Sequence, residues 1–259
     1  MFRALYTAAS GMDAQQRNID VTANNIANVN TTGFKASRAE FQELLYQQVR
    51  APGAPQDGGA PVGIEIGLGV RTAATNKSFE QGTLESTENP LDLAIEGSGF
   101  FQVRRESGEE AYTRAGVFQV NAYGRVVNQD GHELSPGITV PPDTTAINIS
   151  RDGRVAAMLP DGGGEVELGR IELHQFTNPA GLQSLGRNLF SQTAASGDAM
   201  PSTPGENGVG ELSQGFLEGS NVKVVEEMID MIVSQRAYEI NSKVIQTADE
   251  MMRSATNLR

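Results

Sequence analysis

Cysteine and tryptophan are both missing from the 259 residues, and only two histidines, His132 and His174, are present. Without cysteine there are no disulfides, thiolate nucleophiles, iron–sulfur clusters or cysteine zinc sites. His132 follows an Asp-Gly pair and His174 alternates with Leu173 and Phe176; neither sits in an HExxH or GxSxG context, so both read as structural. No GxxxxGK[ST] occurs, and Gly97 and Gly99 of EGSGFF do not make GxGxxG; they read as a turn feeding a buried strand. Among 32 carboxylates some pair always resembles an acid and a base, so such a pair carries no weight. Catalysis, cofactors and metals find no foothold.

Long apolar runs are absent as well. No stretch reaches the roughly 18 residues of a membrane-spanning helix, so the chain is not expected to be membrane-spanning. The opening MFRALYTAASGMDAQQRNIDV is broken by polar residues every few positions, and no secretory apolar segment is readable in it. The expectation is a cytosolic protein, or one exported by a route that reads another signal. Basic residues are scarce: 20 Lys and Arg against 32 Asp and Glu leave a net charge of −12, which repels a phosphate backbone. Nucleic acid is not an expected partner.

The acidity that is present is uneven. Residues 1–50 carry five basic and four acidic groups and residues 217–259 five and seven, so residues 51–216 contribute −11 of the −12. Two nearly neutral ends flank an acidic, solvated body, and such ends can approach copies of themselves without strong repulsion.

Both ends have helical periodicity. Leu5, Ala9, Met12, Gln16, Ile19, Ala23, Ile26 and Asn30 alternate spacings of four and three, predicting one helix over about 3–30 ended by a left-handed Gly33. That seam is poor in large side chains, so the helix needs a partner to be stable. Asn221 is the expected N-cap of a second helix, with Glu226 and Glu227 early and Arg253 and Arg259 late. Its stripe runs Val225, Ile229, Ile232, is interrupted at Arg236, and resumes through Ala237, Ile240, Val244, Ala248, Met251, Ala255 and Leu258.

Between the helices, short Val-, Ile-, Phe- and Thr-rich runs predict antiparallel strands: FFQV at 100, YTRAGVFQV at 112, RVVNQ at 125, AINIS at 146, RVAAML at 154 and EVELGRIELHQF at 165. Asp130-Gly131, Asp152-Gly153, Asp161-Gly162 and, more weakly, Tyr123-Gly124 supply hairpin turns. The Gly/Pro-rich stretches 51–69 and 196–210 read as loops or linkers. The fold class is therefore α+β: long N- and C-terminal helices forming a coiled-coil-like layer, with an inserted antiparallel β-rich domain. Expected divisions are 1–35 (N-terminal assembly helix), 36–78 (linker and Gly/Pro-rich insertion), 79–215 (β-rich outer domain) and 216–259 (C-terminal assembly helix).

Two polar clusters stand out against these stripes. Asn24, Asn25, Asn28 and Asn30 crowd one and a half turns, Asn24 and Asn28 stacking at i,i+4. Asn is a poor helix former, so this density points to amides that fix register against neighbouring helices, over the plainer reading of a solvated stripe. Arg236 and Glu239 can form an ordinary i,i+3 surface pair, or Arg236 can fork onto an acceptor of an adjacent subunit.

The run from Ala23 to Lys35, ANNIANVNTTGFK, resembles the amino-terminal signature of the flagellar rod and hook axial protein family. The run from Ser220 to Met251, SNVKVVEEMIDMIVSQRAYEINSKVIQTADEM, resembles its carboxyl-terminal signature, and FEQGTLESTENPLDLAIEGSGFFQV from Phe79 looks like the entry to the β domain of its longer members. The resemblance implies a non-catalytic subunit of the distal rod, with a proximal rod paralogue or a hook-type axial protein as the alternative. It would be exported unfolded by the flagellar type III apparatus and polymerised with itself in the periplasm as a helical tube, transmitting torque through the outer P and L bushing rings. Its partners would be proximal rod proteins and the hook protein, with no cofactor. In that tube Leu5, Met12, Ile19 and Ile26 would pack with Ile232, Ile240, Val244 and Met251 in the inner layer, and Asn24, Asn28, Arg236 and Glu239 would make polar contacts there.

Overall fold

Ala, Gln and unbranched apolar residues dominate the first segment, and they form one helix, α1, over Phe2–Ala27. It stops three residues earlier than its periodicity predicts. Asn28 and Thr31 bond each other there, Thr31 N donating to Asn28 O (3.1 Å) and Thr31 Oγ1 to Asn28 Oδ1 (3.2 Å). Such local side-chain bonds compete with helix continuation. Asn28 therefore lies in a turn past the end of the helix. Gly33 is left-handed as expected (φ +70°), but it lies six residues past the helix. Its reason is a close approach: a Cβ would meet the Ala115 nitrogen at 2.6 Å.

The second helix, α2, spans Val224–Asn257, about 51 Å at 1.5 Å per residue. Glu226 and Glu227 occupy its first turn. Asn221 does not cap it. The Asn221 amide instead accepts from Ala36 N (2.8 Å) and donates to Ser78 O (3.0 Å) and Glu80 O (3.2 Å), stitching two other segments together. Arg253 pairs with Asp249 (2.9 Å), and the described last turn carries no basic residue.

The computed structural model describes residues 2–50, 62–160 and 165–257. The Asp161-Gly162 turn, most of the 51–69 stretch, Leu258 and Arg259 lie outside these, as does the Ala255 side chain. The chain forms two compact units: 1–27 with 37–77 and 223–259, and 28–36 with 78–222.

In the helical unit the segment expected as a linker is strand. Ser37–Glu43 pairs antiparallel with Val70–Lys77, with a register break at Glu40/Phe41, and Tyr46–Arg50 pairs with Ile64–Gly67. Periodicity missed these strands because they are largely exposed and show no clean apolar alternation.

In the β unit the central sheet runs, in order, through 183–186, 189–191, 110–113, 100–104, 133–135, 126–128 and 118–120, with 173–175 and 200–202 joined to it at 100–104. Two predicted runs break in two: YTRAGVFQV gives Glu110–Thr113 and Phe118–Val120, and EVELGRIELHQF gives Glu165–Arg170 and Leu173–Gln175 in different sheets. The 196–210 loop contains the strand Met200–Ser202. A three-stranded sheet (146–149, 154–158, 165–170) and the pairs 211–214 with 93–96 and 216–218 with 84–86 complete the unit. The turns at Gly124, Gly131 and Gly153 have positive φ as their hairpins require. The core joins Leu93, Ile95, Phe101, Phe118, Leu134, Ile171, Leu173 and Leu212, and a second cluster stacks Phe79, Phe100, Tyr112, Phe176 and Phe190 edge to face.

Candidate functional site

Three cross-helix layers define how α1 lies against α2. Gly11 faces Asn241, where a Cβ on Gly11 would come within 3.0 Å of Nδ2. Asn18 Nδ2 donates to Ser234 Oγ (2.8 Å), and Asn25 Nδ2 donates to Glu227 Oε1 (3.0 Å). Each step of seven along α1 is matched by a step of seven back along α2. The pair is therefore an antiparallel coiled-coil-like seam with heptad spacing. Its interior is polar or small: Thr22, Asn25, Ser234, Ala8 and Ala248 are buried.

Asn25 is the residue that the helical stripe overlooked. It is only 2 % exposed, and besides Glu227 its amide donates to Ser37 O (2.8 Å) and accepts from Ser37 N (2.9 Å). One side chain thus ties α1, α2 and the first strand of the unit. The dense Asn cluster was the available signal, and of its members Asn25 is the buried one that makes the contact within the chain. Glu227 answers burial first: desolvation pushes its carboxyl above the ordinary value, and the Asp230 and Glu226 charges add to that, against the Asn25 hydrogen bond.

The expected seam on α1 is displaced by one residue from the observed one. Leu5, Met12, Ile19 and Ile26 are half-buried, whereas Ala9, Gln16, Ala23 and Asn30 are exposed, as is Asn24. On α2 the displacement is larger. Ile232 (58 %), Ile240 (64 %), Met251 (56 %) and Val244 (40 %) stay exposed, with Val225, Met228, Ile229 and Val233 beside them. Within one chain, then, these large apolar side chains of α2 do not face α1, whereas Ala248 of the same predicted stripe is buried. Arg236 and Glu239 lie on the same open side, Arg236 Nη1 donating to Glu239 Oε2 (3.1 Å) as an exposed i,i+3 pair.

The β unit holds a buried charge cluster that no periodicity revealed. Lys35 Nζ donates to Glu218 Oε1 (2.6 Å) and Glu80 O (2.6 Å), while Arg114 Nε donates to Glu218 Oε2 (2.8 Å). Arg114 Nη1 also reaches Gly97 O (2.8 Å) and Gly99 O (2.7 Å), and Gly82 N donates to Glu218 Oε1 (3.0 Å). Burial alone would push the Glu218 carboxyl up; the charges and hydrogen bonds of Arg114 and Lys35 outweigh it and hold the group below its ordinary value. This one carboxylate ties the short segment 28–36 to Arg114 and to the end of the 78–222 segment. Of metal-ligand clusters there is none among the described residues, and no described helix is long and apolar enough to cross a membrane.

The architecture is a β body inserted in the chain between two long helices, with a polar seam inside the helical pair and exposed apolar side chains on α2. The sequence comparisons give the lineage. Residues 5–35 match the profile described as flagella basal body rod protein, 94–157 that of the flagellar hook protein FlgE/F/G D1 domain, and 213–258 that of the flagellar basal body rod FlgEFG protein C-terminal region. The chain is 48 % identical to the flagellar basal-body rod protein FlgG of Borreliella burgdorferi, covering 100 % of this chain and 99 % of that one. It is 49 % identical to FlgG of Caulobacter vibrioides over 99 % of both chains, and 35 % identical to the rod protein FlgF of the same organism over 98 % and 97 %. The chain belongs to the flagellar basal-body rod and hook protein family.

Proposed function

We infer that the chain is a structural subunit of the flagellar distal rod, acting without catalysis. The observation that carries this is the open apolar stripe of α2, Ile232, Ile240, Val244 and Met251, on a helix whose inner seam is already occupied by polar layers. Large contiguous apolar surface in water calls for a partner, and the nearly neutral ends allow that partner to be another copy of the chain. Copies packed through Leu5, Met12, Ile19 and Ile26 on one side and the α2 stripe on the other would build a helical tube. Asn24, Asn28, Arg236 and Glu239 would add polar contacts at its joints. The acidic β body would then face outward and run as a shaft through the P and L bushing rings. Proximal rod proteins and the hook protein would adjoin the tube's two ends. Delivery to the periplasm by the type III export apparatus suits terminal helices that gain their stability from neighbours. The distal over the proximal position is favoured by the higher identity to FlgG than to FlgF within one organism.

Cryo-electron tomography of basal bodies from cells lacking this chain tests the assignment. A rod that stops short of the outer rings, with no hook, is the expected result. A complete rod lacking only the hook would make the chain hook-like, a rod broken near the inner membrane would make it a proximal subunit, and intact flagella would overturn the reading.

A further inference from the structure

We infer that the three layers of the α1–α2 seam act as a register key, selecting which turn of α2 meets which turn of α1 and hence where along α1 the outward stripe of α2 sits. The key is a property of one chain; only its consequence for assembly rests on the rod reading above. Apolar burial is non-directional, and a seam of interchangeable apolar layers can slide by a heptad at little cost. Three layers of this seam are not interchangeable. Gly11 is matched to the bulk of Asn241, Asn18 to the Ser234 hydroxyl and Asn25 to the Glu227 carboxylate.

Sliding by seven residues in one direction sets Asn18 against Asn241 and Asn25 against Ser234, and carries Glu227 past the end of α1 at Ala27. Sliding the other way puts Gly11 against Ser234 and Asn18 against Glu227, and carries Asn25 past the start of α2 at Val224. The first slip sets Asn18 where even a Cβ on Gly11 would meet Asn241 Nδ2 at 3.0 Å, and either slip breaks the Asn25–Glu227 hydrogen bond. The fully buried apolar residues of the helical pair are the alanines Ala8, Ala14 and Ala248, which give little force to oppose that penalty. A one-heptad slip moves α2 about 10 Å along α1. The outward stripe from Ile232 to Met251 would then arrive out of phase with a neighbouring copy.

The absence of cysteine makes the full-length chain a clean background for cross-linking. Gln15→Cys with Ala237→Cys, one turn from the Asn18 layer on each helix, reports the native register; Gln15→Cys with Val244→Cys reports the slipped one. The parent sequence should favour the native disulfide at least about tenfold. Asn18→Leu and Asn25→Leu combined with Ser234→Leu and Glu227→Leu should bring the two within about threefold of each other. The reversed pair Asn18→Ser with Ser234→Asn, which keeps a polar layer and controls for mere damage, should retain the parent ratio. An unchanged ratio in the leucine chain, or a lost one in the reversed pair, overturns the key. Swimming of an Ile240→Asp strain reports the assembly reading separately: if it swims normally, the rod reading fails while the cross-link ratio still decides the key.

Discussion

Glu218 is a carboxylate with no exposed side-chain surface, shared between two cations that are themselves buried. Removing one partner of such a cluster leaves charge uncompensated, so Glu218→Gln should cost the β unit about 3–5 kcal/mol in urea unfolding. Its pH dependence has a definite sign. A carboxyl held below its ordinary value of 4.5 contributes stability that is complete above that value and is lost as pH falls through the lower folded one. The parent should therefore lose more stability than Glu218→Gln on acidification below about pH 4.5. Glu227 behaves oppositely. Its raised pKa favours the neutral form in the folded pair, so its contribution is complete below 4.5 and is lost as pH rises through the folded value. Glu227→Gln, which keeps an acceptor for Asn25, should increase amide-exchange protection of α1 at pH 7 and leave it unchanged at pH 3.

Helix α1 buries small and polar residues against α2, so neither helix has the apolar area to stand alone for long. In dilute full-length chain the amides of residues 12–25 should exchange at least about a hundredfold faster than those of 100–104 at the sheet centre. Equal protection of the two segments would show that the helical pair is stable before assembly. Asn25→Ala removes the bonds to both Glu227 and Ser37 and should cost the helical unit about 1–3 kcal/mol, read as lost protection at Ser37–Ala39. The β unit, whose core does not include Asn25, should melt unchanged.

For the whole molecule the division of labour separates assembly from folding. Ile240 is exposed on α2 and lies outside the β unit, so Ile240→Asp should abolish swimming while the main thermal transition moves by less than about 2 °C. A swimming variant, or one whose β unit no longer melts cooperatively, would show that this position serves something other than contact between copies.

The two terminal helices, the β body between them and the turns at Gly131, Gly153 and, more weakly, Gly124 were legible in the sequence, because periodicity, Gly at positive φ and charge distribution are local signals. Family membership was legible too, in the runs from Ala23 and Ser220. The exposed strands of 37–77 were not, since nothing in their pattern marks a buried face. Nor was the position of the intrachain seam, whose buried residues on α2 are Ser234 and Ala248 while Ile232, Ile240, Val244 and Met251 stay exposed. Which of four neighbouring asparagines meets Glu227, that Asn221 stitches rather than caps, and that Lys35, Arg114 and Glu218 meet depend on residues 104 to 202 apart in the chain. Local pattern fixes which faces exist; only the packed structure decides which face turns inward, because burial of a polar group is decided by whether a distant partner arrives to bond it.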